Sequence, residues 1–218
     1  MLFRKPTLWT VLCATALLLL SGCGSKKTPK QISLLNDPAL FAAGSTSTLR
    51  VGPPPIRAGD AGAPLRMVLF GSYTSSYSHT FFSKQMPTLI AAVKRGSGTL
   101  IFKPLERNTV DRKIAEISEC LPDRTQRFSF VSAVMAAAPS EKGSQALPTV
   151  RAIARRYGAD SARLSVCSSN ALLAEWLEIE QHENANLYGI QSAPTLVVNG
   201  RTLVNPDRDE ITEALRGL

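Results

Sequence analysis

The order of strand-like and helix-like segments constrains the fold of this chain more than any other sequence feature. Short apolar runs bounded by glycine, proline or serine alternate with stretches whose apolar residues recur every three to four positions. The predicted strands are Leu65–Phe70, Thr99–Pro104, Thr195–Val198 and Arg201–Val204. One helix separates the first two strands, a long helical region follows, and an Asn-Gly turn joins the last two. This order predicts an α/β fold with one mixed sheet and an inserted helical subdomain.

The helix-like stretches fill the spaces between these strands. The predicted helices cover 76–95 with a kink at Pro87, 110–137 and 147–157 with breaks near Pro122 and at 139–143, 168–188, and 207–218. The segment 51–64 is rich in proline and glycine and is predicted to be irregular. The folded domain is therefore expected over 51–218, with its helical insertion at about 107–187.

The first 22 residues have the pattern of an export signal. Arg4 and Lys5 precede the apolar run Leu12–Leu20, which is shorter than the roughly 20 residues that span a bilayer. Leu20-Ser21-Gly22-Cys23 resembles the lipobox of bacterial lipoproteins, where the chain is cut before the cysteine and diacylglycerol is attached to its sulfur. The resemblance implies a signal peptide at 1–22, a lipidated Cys23 and a flexible tether over 23–50. A plain secretory signal with a chance cysteine is the alternative.

This resemblance also implies a location and a membrane partner. Proteobacterial lipoproteins with Asp after the lipidated cysteine stay in the inner membrane, and residue 24 is glycine. The expected location is the cell envelope, on the outer membrane facing the periplasm. The formal charge of +8 falls to +6 once Arg4 and Lys5 are removed, and Lys26, Lys27 and Lys30 lie beside the anchor, near anionic headgroups. Nucleic acid is not an expected partner, because the other basic residues are scattered.

Two cysteines remain in the mature domain. Cys120 and Cys167 face an oxidising space, so they are predicted to form a disulfide. Closing a loop of about 47 residues would stabilise the fold by about 3–4 kcal/mol. Two buried, reduced thiols are the alternative. Two histidines and a bonded cysteine pair leave no metal ligand set, and no phosphate-binding glycine loop is present, so neither a cofactor nor a small-molecule substrate is expected.

Two segments resemble the DsbA-like thiol oxidoreductases, a family with the thioredoxin fold. Residues 59–64 (GDAGAP) and the strand after them are similar to the approach to that family's active site. Residues 188–200 (YGIQSAPTLVVNG) are similar to its cis-proline loop, strand and turn, with Pro194 as the cis-proline. The resemblance covers about 51–218 and implies a thioredoxin fold. It also places Cys120 and Cys167 where many relatives carry an extra pair.

The chain departs from that family at the redox motif. Ser75-Ser76-Tyr77-Ser78 aligns with the Cys-X-X-Cys of the relatives. A helix N-terminus lowers a thiol pKa from about 8.5 to about 3.5–7.5, whereas an alcohol starts several units higher. Two serines also cannot store two electrons as a disulfide. Dithiol redox chemistry at this position is therefore excluded.

A serine nucleophile is not expected here either, so no catalytic residue is assigned. His79 is adjacent to Ser78, and neighbouring residues of a helix point in different directions. His182 lies on a distant segment. The simple interpretation is that Ser75 or Ser76 caps a helix and that His79 is a surface residue.

A peptide groove is the remaining role for this region. In thioredoxin folds the backbone before the cis-proline pairs with an extended peptide. Tyr73, Tyr77, His79 and Gln191 are predicted to line a shallow groove, whose edge is formed by Ala193 and Pro194. The alternative is that Pro194 only shapes a turn and that the groove is vestigial.

The leading hypothesis for function is a redox-inactive envelope lipoprotein that binds a protein or peptide. It would act as a chaperone-like or scaffolding module and, by analogy alone, within a secretion or conjugation assembly. The alternative is an enzyme, a thiol–disulfide oxidoreductase or isomerase of the DsbA type that works through Cys120 and Cys167. Neither of these cysteines lies in a Cys-X-X-Cys motif.

Overall fold

A five-stranded mixed sheet forms the centre of the domain. The computed structural model describes residues 53–137, 145–186 and 188–216. Its strands are β1 (Ile56–Ala58), β2 (Leu65–Gly71), β3 (Gly98–Pro104), β4 (Thr195–Val198) and β5 (Arg201–Val204), in the spatial order β1-β3-β2-β4-β5. β2 and β3 are parallel, and the other neighbouring pairs are antiparallel. The predicted mixed sheet is confirmed.

The central strand, β2, carries the chain to the candidate site. Met67 lies opposite Leu100 of β3 and Val198 of β4, and both faces of the strand are buried. This double burial explains its nearly continuous apolar sequence. At the end of β2, an added Cβ on Gly71 would lie 2.7 Å from the Phe102 ring. The chain therefore leaves the sheet at Gly71 in close contact with β3.

The segment predicted to be irregular contains an additional strand. Within 51–64, β1 pairs antiparallel with β3, with Ile56 opposite Phe102. Three prolines precede Ile56, and proline cannot donate a hydrogen bond to a sheet. The strand therefore begins only after the last proline and lies at the edge, where the buried Ile56 holds it to the core.

Eight α-helices surround the sheet in the described ranges. They are α1 (Ser76–Lys84), α2 (Met86–Lys94), α3 (Thr109–Glu119), α4 (Arg127–Ala137), α5 (Ala146–Arg156), α6 (Ser161–Ser168), α7 (Ala171–Asn186) and α8 (Arg208–Arg216). A 3-10 turn at Arg124–Gln126 precedes α4. Helices α3 to α7 lie between β3 and β4, which confirms the inserted helical subdomain.

Two predicted helices have different bounds in the structure. The single kinked helix predicted at 76–95 is two helices that meet at Gln85, because Pro87 is tolerated in the first turn of a new helix. The helix predicted at 168–188 begins only at Ala171, where the Asn170 side chain accepts the Leu172 N–H at 2.9 Å. The separate helix α6 before it was not predicted.

Two long-range links attach the insertion. The Lys103 ammonium of β3 pairs with Glu180 of α7 at 2.7 Å, and both side chains are largely buried. Cys120, at the end of α3, is bonded to Cys167 of α6 with a Cα–Cα distance of 5.7 Å. The predicted disulfide is therefore present.

Several predictions lie outside the described residues. These are the signal peptide at 1–22, Cys23 with its tether at 23–50, and the helix break at 139–143. Among the described helices, none combines the length and the apolar character needed to span a bilayer.

Candidate functional site

The motif Ser75–Ser78 forms the start of α1, directly after the turn that follows β2. Ser75 is the N-cap residue, and its Oγ accepts the backbone N–H of Ser78 at 3.4 Å. Of the two capping serines predicted, Ser75 is therefore the one used, while Ser76 is exposed on the first turn. The Ser75 hydroxyl lies at a helix N-terminus, where the partial positive charge of the helix is concentrated.

The second serine of the motif is a structural group. Ser78 is fully buried, and its Oγ accepts the backbone N–H of Ser72 at 3.2 Å. This contact ties the first turn of α1 to the end of β2. The two hydroxyls therefore differ in role, because Ser75 is half-exposed at the surface and Ser78 lies inside.

The proline loop lies directly against this helix start. The Ala193–Pro194 peptide bond is cis, and Pro194 immediately precedes β4. The Ser75 hydroxyl donates to the Ala193 carbonyl oxygen at 3.5 Å. The two segments singled out in the sequence, 118 residues apart, thus form one surface.

Tyr73 does not line this surface, which corrects the prediction. Its side chain is buried and packs against Phe102 with ring centroids 5.6 Å apart. Burial raises the pKa of Tyr73 well above its usual range. The turn after Gly71 directs this ring back into the core, so Tyr73 supports the site through packing in the core.

His79 is also buried, although a surface position was predicted. Its Nδ1 lies 2.8 Å from the Met135 carbonyl oxygen, and its Nε2 lies 2.8 Å from the Tyr73 carbonyl oxygen. Both ring nitrogens therefore lie within hydrogen-bond distance of backbone carbonyl oxygens, and neither is paired with Ser75 or Ser78. The ring connects the turn before α1 to the end of α4, and it does not form the Ser–His pair of a hydrolase.

Asp111, at the start of α3, holds the turn before the motif and was missed in the sequence. Its fully buried carboxylate accepts the Ser72 hydroxyl, the Thr74 N–H and the Arg107 N–H, each at 2.9 Å. Asn108 caps the same helix and donates to the Thr74 hydroxyl at 2.8 Å. An Asn-x-x-Asp pattern after a strand is a helix-start signal, but it does not reveal this contact across the fold.

Comparison with known proteins agrees with this geometry. A family described as Thioredoxin matches residues 52–216. The chain belongs to the thioredoxin family. None of the curated proteins matches it.

Solved thioredoxin-fold structures of DsbA-like proteins resemble it. α-DsbA1 of Wolbachia pipientis is 18% identical, with a TM-score of 0.69, 81% of this chain covered and 96% of that one. BdbD of Bacillus subtilis, in its oxidised form, is 21% identical, with a TM-score of 0.65; the match covers 74% of this chain and 91% of BdbD. A protein-disulfide isomerase of Novosphingobium aromaticivorans is 24% identical, with a TM-score of 0.59; the match covers 73% of this chain and 96% of the isomerase. These neighbours confirm the DsbA-type thioredoxin fold.

The exposed part of the site in this thioredoxin-family chain is small and uncharged. Tyr77 is 64% exposed on the first turn of α1, and Gln191 is exposed in the loop before Pro194. Ala193 between them is 9% exposed. Within the described ranges, no group of three metal-ligating side chains comes together. The arrangement offers an exposed aromatic ring on the first turn of α1 and a proline loop in contact with that turn, which are contact groups for a peptide.

Proposed function

We propose that this chain is a redox-inactive, thioredoxin-type binding module of the bacterial envelope. The observation that carries the proposal is the pair of hydroxyls, Ser75 and Ser78, at the start of α1 beside the cis-proline loop. The structural neighbours include a protein-disulfide isomerase and a DsbA protein, and their fold is the fold of this chain. Here, the alcohols retain the geometry of a helix cap but cannot form a disulfide.

The proposed ligand is an extended segment of a partner protein. An extended chain could pair with the backbone at Ala193, as in strand addition. Tyr77, which is 64% exposed and follows Ser75 by two residues, would supply the aromatic contact that anchors the segment. Anchoring through the predicted lipid on Cys23 would confine the module to the outer-membrane surface.

Site-specific photocrosslinking tests this proposal in intact cells. A photoreactive phenylalanine replaces Tyr77 in one variant and Val204 in a second, control variant. The Val204 side chain is 61% exposed on β5. The proposal predicts that the Tyr77 position crosslinks to a defined envelope protein and that the Val204 position does not. Adding Gln191→Arg, at an exposed position in the loop before Pro194, should abolish the crosslink while the midpoint of unfolding stays unchanged. Equal crosslinking from both positions would contradict a specific groove.

Thiol–disulfide exchange through Cys120 and Cys167 is the second candidate. The name of one structural neighbour favours it, since that protein is a protein-disulfide isomerase. Cys120 is 1% exposed and Cys167 is half-buried, an arrangement that protects one sulfur from attack. Equilibration with glutathione buffers separates the two functions, because a structural bond should have a potential below about −300 mV. A strongly oxidising, readily reduced bond would favour the enzyme.

A further inference from the structure

Helix α5 presents an arginine-rich face to solvent. Its buried side consists of Ala146, Val150, Ile153 and Ala154, and Arg151, Arg155 and Arg156 are exposed. Arg151 and Arg155 are one helical turn apart and therefore lie on the same side. Together with Leu147 and Pro148 they line an open groove of about 430 Å³.

Among the described residues, none neutralises the charge on this face. None of the carboxylates in the described part of the chain forms an ion pair with Arg151, Arg155 or Arg156. Helix α5 itself contains no acidic residue. An exposed cluster of arginines with two apolar side chains beside it is complementary to a surface that carries phosphate groups above an apolar layer.

The basic end of α5 is connected through α4 to the start of the described chain. Arg127, the first residue of α4, donates to the Pro54 carbonyl oxygen, near the start of the described chain. One turn later, the Phe130 ring packs against Tyr157, which directly follows α5, with ring centroids 5.8 Å apart. The end of α5 and the start of the described chain therefore both contact the first turn of α4.

We infer that the arginine face of α5 docks the domain on the anionic phospholipid surface to which the tether is anchored. Each arginine near such a surface contributes favourably, and the contribution decays within a Debye length. The tether holds the domain close enough for this weak attraction to select one orientation. The inference depends on the predicted anchor at Cys23 but not on the peptide groove at Ser75 and Pro194.

Fluorescence quenching on vesicles tests this orientation with the full lipidated protein. A fluorophore is attached to Ala152→Cys, which is exposed between the arginines, or to Asp209→Cys on α8. α8 follows β5, at the sheet edge opposite to β1, and therefore serves as a distant control. The bilayers carry a headgroup quencher and consist of phosphatidylcholine alone or with phosphatidylglycerol. We expect strong quenching of the Ala152 label only on phosphatidylglycerol vesicles, and its loss at high salt.

Charge reversal identifies the residues responsible. Arg151→Glu combined with Arg155→Glu should lower the ratio of docked to free domain by at least about tenfold. The matched control is Arg201→Glu combined with Arg208→Glu, which makes the same change of charge on β5 and α8, at the sheet edge opposite to β1. This control should leave quenching of the Ala152 label unchanged.

Four results would overturn the inference. The first is equal quenching of the Ala152 label on both vesicle types, and the second is no effect of the α5 charge reversal on quenching. The third is quenching of the Asp209 label as strong as that of the Ala152 label. The fourth is failure of the protein to bind either vesicle type, as measured by flotation. If the reversal instead removed crosslinks to an acidic protein without changing quenching, the face would be a protein-docking surface and the membrane assignment would be wrong. Crosslinking from Tyr77 is scored separately, so failure of either proposal leaves the other testable.

Discussion

Ser75 and Ser78 differ from cysteine by one atom each, an oxygen in place of a sulfur. Ser75 caps α1 and touches the Ala193 carbonyl, and Ser78 is enclosed beside Ser72. A thiol at the Ser75 position would lie at a helix N-terminus, where thiolates are stabilised. The absence of a dithiol at this site is therefore a property of two atoms and not of the fold.

Restoring both sulfurs should restore a redox couple. In the double variant Ser75→Cys, Ser78→Cys we expect a second disulfide between the two new cysteines. Its reduction potential, measured in glutathione buffers, should be higher than that of Cys120–Cys167, because the helix start stabilises the attacking thiolate. Thiol titration by mass spectrometry measures both couples. Ser75→Cys alone is the control, since it has no partner sulfur. A double variant whose thiols stay reduced in every buffer would show that the helix start no longer has the oxidoreductase geometry.

Glu119 gives the protein a defined pH dependence. It pairs with Arg127, and both side chains are buried. Burial raises the pKa of Glu119 from 4.5 to about 7, although Arg127 opposes the shift. The folded protein therefore binds this proton more tightly than the unfolded chain. The resulting stabilisation is complete below pH 4.5 and is lost as the pH rises to about 7.

Glu119→Gln should remove this contribution. Between pH 4.5 and about 7, the free energy of unfolding of the parent protein should fall relative to that of the variant, by on the order of 3 kcal/mol. Urea unfolding at a series of pH values measures the difference. Parallel pH profiles for the two proteins would show that Glu119 titrates equally in the folded and unfolded states.

At the level of elements, the start of α3 positions the start of α1. Asp111 accepts hydrogen bonds from Ser72 and Thr74, although 39 and 37 residues separate it from them in the chain. His79 makes a corresponding link from α1 to the end of α4 through Met135. The inserted subdomain therefore fixes the turn before the motif, and the sheet fixes the proline loop opposite.

Asp111→Ala should loosen this turn. Removing the buried carboxylate leaves several donors without an acceptor, so we expect a loss of stability of about 3 kcal/mol and faster amide exchange at Thr74. Asp111→Asn keeps an acceptor oxygen and should lose less. Denaturant unfolding together with hydrogen exchange measures both effects. An alanine variant as stable as the parent would mean that the three contacts add nothing to stability.

The sequence predicted elements more reliably than side-chain directions. The mixed sheet, the helical insertion and the proximity of the motif to the proline loop follow from apolar periodicity and from the family resemblance. Tyr73 and His79 were assigned to the groove because they flank the motif, yet the turn after β2 and the packing of α1 on α4 place both in the core. Asp111 could not be found, because its partners are close only after folding.

At the scale of the whole molecule, the disulfide holds the outer part of the insertion. Helix α6 buries only Leu164 fully, and Arg163 donates to the Cys120 carbonyl oxygen at 2.7 Å. The Cys120–Cys167 bond closes a separation of 47 residues. Its main effect is to reduce the freedom of the unfolded chain.

The double variant Cys120→Ala, Cys167→Ala should fold but be less stable. The expected loss is about 3–4 kcal/mol in the free energy of unfolding, measured with denaturant. Proteolysis under native conditions should begin at α6, which has few other anchors. Cleavage that begins elsewhere, or an unchanged midpoint, would show that packing alone holds α6.

The central claim is that a thioredoxin-type fold with serines at its helix start binds a partner without exchanging thiols. The most direct measurement is oxidation of a reduced client peptide by the purified protein, followed by thiol titration, with the Ser75→Cys, Ser78→Cys variant as the positive control. The account predicts no oxidation by the parent protein above the rate without protein, and clear oxidation by the variant. Stoichiometric oxidation of the client by the parent protein, with Cys120–Cys167 reduced in exchange, would contradict it.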